Sequence, residues 1–204
     1  MSSKSTESAN QSRTFGPLTR ASQFFYAKSS LVTAVLATLV FAGYTALVLS
    51  GQGKAFEVAN SSIKSLGTSL GFGQAEILAF LAERSANQIA AYITFNQVWD
   101  TLFGVIYGVM YVVWVSLLLK PYSHKVGILN LLPFGQVLFD WLENIGLATV
   151  SGQYLADGTI SSTTAQLAST ASSIKWAFAL LVYGVILVGI IARTVGALKR
   201  RSQR

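Results

Sequence analysis

The sequence predicts an all-α, single-domain polytopic membrane protein, a bundle of four transmembrane helices with an extra amphipathic helix in its first external loop. Three observations carry this. Of 204 residues, 52% are hydrophobic and only 11% charged, too apolar a balance for a soluble domain of this length. Apolar runs long enough to cross about 30 Å of hydrocarbon, which takes about 20 residues of helix, recur along the chain. Lysine and arginine alternate from one connecting segment to the next as the positive-inside rule requires.

Taken in order, residues 1–28 are polar and Ser-rich and are expected to be a disordered amino-terminal segment. The apolar run that follows so long a polar segment reads as an uncleaved anchor, the first span, over about 30–50. Glycines at 51, 53, 67, 71 and 73 make the next stretch irregular. From Gln74 the pattern changes: Ile77, Leu78, Leu81, Ile89, Tyr92 and Ile93 return at helical intervals with Glu83, Arg84 and Asn87 between them. This predicts an amphipathic helix over about 74–95, too polar to span, lying on the membrane or capping the bundle.

The second span is expected over about 97–119 and the third over about 131–151, with Pro133 near its start, where a missing N–H costs little. Asp157-Gly158 is a turn signal, and Thr163 with Gln166 resembles a capping box opening a short helix. The fourth span is expected over about 173–195, the membrane domain over 29–198, and a basic tail over 199–204.

Lys4, Arg13, Arg20 and Lys28 precede the first span, Lys120 and Lys125 lie between the second and third, and Arg193, Lys199, Arg200, Arg201 and Arg204 follow or finish the fourth. Both termini and the 120–125 loop are therefore expected on the cytoplasmic side. The net charge of +7 reads as topology, with the lipid bilayer as partner and no nucleic acid. There is no cysteine, and His124 is the single histidine, so thiolate chemistry is excluded and neither a zinc site nor a Ser-His-Asp triad is expected. No nucleotide-binding glycine loop is present, and no metal or cofactor is expected. Asn60-Ser61-Ser62 fits a glycosylation acceptor on the outer side of a eukaryotic host.

The third span is not uniformly apolar. Gln136, Asp140, Glu143 and Asn144 share one helical stripe with Leu147, while Val137, Leu138, Trp141, Leu142 and Ile145 occupy the other side. Counting from Leu131 at about 1.5 Å per residue puts Asp140 roughly 14 Å in, near the bilayer centre. On the second span Asp100, Gly104, Tyr107, Gly108 and Tyr111 share a side, and Gly104 and Gly108 form a GxxxG pair that permits close helix contact. Lys175 falls near the outer start of the last span, with Tyr183 two turns deeper. A lipid-facing charge at such depth costs about 2.5–3.5 kcal/mol, so Asp100, Asp140, Glu143 and Lys175 are expected to converge inside the bundle, the two neighbouring carboxylates sharing a proton. The tyrosines read first as packing, and Trp99, Trp141 and Trp176 as interfacial anchors.

The stretches NQVWDTLFGVIYG, LLPFGQVLFDWLENIG and SSIKW together resemble a group of small four-helix membrane proteins of unknown function, found largely in bacteria, with a D-x-x-E-N motif on the third helix. The likeness covers roughly 96–197. It implies that Asp100, Asp140, Glu143, Asn144 and Lys175 belong together, and it implies a bacterial inner membrane location; it supplies no activity.

The expectation from these residues is a site in the outer half for a proton or a small polar or amphipathic ligand, with Lys175 as cation or anion-head binder and Asp100 as counter-charge. Transport would need a homo-oligomer or another membrane protein, for which Gly104 and Gly108 offer a contact face. Two rivals stand beside it. One is an intramembrane enzyme acting on a lipid or isoprenoid, with Asp140 and Glu143 as acid and base and Asn144 orienting. The other is a structural or assembly subunit whose polar set only fixes helix packing.

Overall fold

The computed structural model describes residues 16–59, 61, 63 and 65–202, so the acceptor asparagine, Asn60, and the polar stretch 1–15 lie outside the described residues. All regular structure among them is helical: α1 (Pro17–Lys28), α2 (Leu31–Phe56), α3 (Gln74–Ala82), α4 (Ala86–Val126), α5 (Leu132–Asp157) and α6 (Ser162–Ser202). Three of these, α2, α4 and α6, are long and apolar enough to cross a membrane. With 26 residues α5 has the length as well, but its stripe of Gln136, Asp140, Glu143 and Asn144 lowers its apolarity.

The expected disordered segment is corrected from Pro17 onward, where α1 forms. Pro17 sits in the first turn, where its ring pre-sets the backbone, and Lys28 sits in the last, against the negative end of the helix dipole. Tertiary contacts then hold the helix. Tyr26 is buried with Val115, Leu119 and Val182. Ser22 Oγ donates to Asn130 Oδ1 at 2.6 Å, and Asn130 Nδ2 donates to the Ser22 carbonyl at 3.1 Å and to Ser116 Oγ at 2.9 Å. Asn130→Leu removes both ends of this buried network, so we expect a loss of about 1–3 kcal/mol of α1 docking. Trypsin cleavage after Arg20 and Lys28 should accelerate accordingly; an unchanged rate would show that the network does not hold α1.

The single amphipathic helix expected over 74–95 is two helices. A turn at Glu83 and Arg84 breaks it, and Ser85 caps α4, accepting from Gln88 N while Gln88 Oε1 accepts from Ser85 N at 3.0 Å. From there α4 runs unbroken into the second span. Nor does the apolar face lie on lipid: Ile77, Phe80, Leu81, Ile89 and Tyr92 are buried with Leu147 and Val150 of α5 and Ala165 and Ala168 of α6. Arg84 fastens this roof to the end of α2, its Nε donating to the Phe56 carbonyl at 3.0 Å while its guanidinium covers the Phe80 ring.

A third correction concerns the carboxyl-terminal part. The short helix expected at Thr163, the last span and the start of the basic tail are one helix of 41 residues, α6. Gly158, at φ +74°, closes α5 as the turn signal predicts. Beside it, Asp157 Oδ1 accepts from Thr159 Oγ1 at 2.8 Å and Thr159 N at 2.9 Å, which holds its carboxyl below the usual range.

Small residues set the helix spacing. A Cβ on Gly146 of α5 would stand 2.6 Å from Ala168 Cβ of α6. On α4, a Cβ on Gly104 would meet Asp140 Oδ2 and Trp141 Nε1 at 3.0 Å, and one on Gly108 would meet Val137. The GxxxG face is thus filled by α5 of the same chain and is not free to bind a second copy. The outermost helix is α2, which packs along α4 and not along α6. Its seam is Ala34, Thr38, Phe41 and Tyr44, with Trp114 Nε1 donating to Thr38 Oγ1 at 2.9 Å and the Phe41 and Tyr44 rings stacked on Phe103.

Candidate functional site

Helical spacing on α5 turns Gln136, Asp140, Glu143 and Asn144 inward, and all four are buried. Opposite them on α6, Lys175 is 6% exposed, with its ammonium against Glu143 Oε2 and 3.4 Å from Asp140 Oδ1. A third acceptor completes the set, the Gly67 carbonyl at 2.9 Å. An ammonium has three N–H bonds, and here three oxygens surround it. Lys175 is thus held among the protein's own oxygens at the same place where a ligand head was expected.

The Gly67 carbonyl was not foreseen, since a backbone group leaves no mark in a sequence. What delivers it is legible in part, in the serine-lined start of the last helix. Ser169 Oγ accepts from Phe72 N at 3.0 Å, Ser172 Oγ donates to the Ser69 carbonyl at 2.8 Å, and Ser173 Oγ to the Leu70 carbonyl at 2.8 Å. These side chains lay residues 65–73 over α6. Gly71 permits the close approach, since a Cβ there would be 2.9 Å from Ser173 Oγ.

Two widened helical turns lie beside this set, Thr45–Leu49 in α2 and Phe95–Asp100 in α4. Such turns leave carbonyls without the ordinary helical partner and recur at functional sites. Here Tyr44 Oη donates across to the Trp99 carbonyl at 2.8 Å, and Thr101 Oγ1 to the Asn96 carbonyl at 2.8 Å. The wide turn carries Phe95, Asn96 and Asp100 to the same hollow.

That hollow is a cavity of about 310 Å³ bordered by α2, residues 65–68, α4, α5 and α6. Asn96, Asp100, Gln136, Asp140 and Lys175 line its polar end, and Phe41, Phe95, Phe103, Tyr107, Tyr111, Trp176 and Tyr183 form aromatic walls. Phe103, Tyr107, Tyr111 and Tyr183 run as a chain of rings with centroids 5.3, 6.0 and 5.7 Å apart. Tyr183 ends it at the surface, 42% exposed, with its hydroxyl 3.3 Å from that of Tyr111. A second, wider hollow of about 970 Å³ under the outer loop shares Leu49, Ser65 and Phe95 with the first.

The expected constellation is brought together in part. Asp140, Glu143 and Lys175 meet. Asp100 shares the cavity with Lys175, whose ion pairs among the described residues are with Asp140 and Glu143. Glu143 and Asn144 do not line the cavity. Trp176, expected as an interfacial anchor, is part of its wall. Asp140 Oδ2, Gln136 Oε1 and the Tyr107 hydroxyl are buried without a hydrogen-bond partner. Comparison with protein-family models, with curated proteins and with solved structures finds no match for this chain, so the likeness to small four-helix bacterial proteins rests on the quoted residues.

Proposed function

We propose that the chain is a four-span integral membrane protein, with α5 as its third crossing, that binds a small amphipathic molecule in its outer half. The polar end of the ligand meets Asp100, Gln136 and Asp140, and its apolar end lies among the rings of α2, α4 and α6. One observation carries this reading: a cavity walled by aromatic side chains, with buried acceptors converging unpartnered at one end. Each such acceptor costs about 1–3 kcal/mol, a cost a hydrogen-bonding ligand removes. Access follows from the packing, because α2 and α6 do not close on each other and Tyr183 stands exposed beside the cavity.

In this reading the polar residues divide into two groups. Glu143 and Lys175, with the Gly67 carbonyl, hold α5, α6 and the outer loop together, while Asp100, Gln136 and Asp140 face the ligand. The acid-base enzyme reading draws no support from Glu143 and Asn144, which stand off the cavity. Basic groups support an inner plasma-membrane orientation with both ends cytoplasmic, since Lys120 bonds the Ser29 carbonyl at 3.2 Å and Arg193 the Leu117 carbonyl at 2.9 Å, at the end of the bundle where α1 docks.

Native mass spectrometry of the purified full-length protein tests this. Ala179 is buried and lines the cavity, so Ala179→Phe fills the space a ligand needs. A small molecule retained by the wild type and absent from a folded Ala179→Phe variant is expected. Identical spectra, with or without an adduct, would overturn the reading.

A further inference from the structure

We infer that the ligand of this cavity is an organic cation, a protonated amine carrying an apolar group. The inference rests on the amphipathic-ligand reading above and adds the sign of the charge. Around the polar end stand three carboxylates, Asp100 and Asp140 on the lining and Glu143 directly behind, against the single ammonium of Lys175. Among the described residues no other lysine, arginine or histidine lines the cavity. With Lys175 surrounded by three acceptors, the carboxyl groups at this end outnumber the cations among the described residues.

An anion entering there meets like charge, and the unpartnered donors on the lining, Trp176 Nε1 and the Tyr92 and Tyr107 hydroxyls, carry no charge to offset it. A neutral molecule leaves the imbalance as it was. A cation corrects it, and its hydrogen bonds fall on the acceptors that have none: Asp140 Oδ2, on a side chain 4% exposed, and Gln136 Oε1, on a side chain 7% exposed. The walls match the same ligand, because Phe103, Tyr107, Tyr111 and Trp176 line the cavity, and aromatic rings attract a cation.

Three probes of one size separate charge from shape: 2-phenylethylammonium, 2-phenylethanol and phenylacetate, titrated by calorimetry into the purified full-length protein. The cation should bind roughly tenfold or more tighter than the alcohol, and phenylacetate should not bind. Asp100→Asn, which breaks no ion pair of Lys175, should weaken cation binding at least about thirtyfold with the thermal midpoint unchanged. Tyr107→Leu should weaken it roughly tenfold while leaving the alcohol unaffected. Equal binding of the alcohol or of phenylacetate, or an Asp100→Asn variant with wild-type affinity, would overturn the cation assignment and leave the cavity reading standing. Binding of none of the three would overturn both.

Discussion

Lys175→Met is expected to destabilise the protein by about 3–5 kcal/mol, the cost of stranding buried carboxylates without their counter-ion. Glu143 is fully buried and Asp140 nearly so, and Lys175 is the cation paired with both. The same substitution takes the donor from the Gly67 carbonyl, so residues 65–73 should loosen from α6, held then by the serine bonds and the buried Leu66 and Phe72. Unfolding in detergent, followed by circular dichroism, measures the loss. Adding Glu143→Gln to Lys175→Met should recover a large part of it, because the double variant removes the stranded charge with its partner. A single variant as stable as the wild type would show that the ion set does not hold the helices together.

That ion set was legible because helical periodicity and the cost of burying charge act on side chains that a sequence names. Asp140, Glu143 and Lys175 had to find one another, and they do. Asp100 shows the limit of the same reasoning: four-residue spacing puts it on the cavity side of its helix, but that the direct ion pairs of Lys175 fall to Asp140 and Glu143 is decided by the fold. Helix α1 was missed because its anchor, Ser22 with Asn130, joins residues 108 positions apart, each unremarkable alone. The aromatic walls were visible only as separate rings, read as packing or as interfacial anchors. What gathers Phe41, Phe103 and Trp176 around one space is the docking of α2 on α4 alone, a tertiary choice that no local pattern encodes.

Gly104 and Gly108 were read correctly as a close-contact face and assigned the wrong partner. A GxxxG pair states that something approaches, and the filling of that face by Trp141 and Val137 is decided by the fold. An approach closed by backbone as well as side-chain atoms lies elsewhere, at a glycine that no motif marks.

Gly146→Leu should therefore have the second large effect, a loss of about 3 kcal/mol from overpacking. A Cβ at Gly146 would stand 2.6 Å from Ala168 Cβ, 3.2 Å from Ala168 Cα and 3.6 Å from Ala168 N. Backbone atoms cannot turn aside as a flexible side chain can, so α5 and α6 must separate. Separation reaches the ion set at once, because Glu143 lies one helical turn from Gly146 on the inward face and its partner Lys175 is on α6. Gly152 supplies the control within the same helix: nothing lies within 4 Å of its Cβ position, and Gly152→Leu should be neutral or gain up to about 1 kcal/mol from helix propensity. Unfolding of both variants in the same detergent decides the matter. Similar stabilities would mean that the Gly146–Ala168 contact does not set the α5 to α6 distance, whereas a large loss at Gly146 alone, with cation binding also lost, would tie that distance to the geometry of Asp140 beside Lys175.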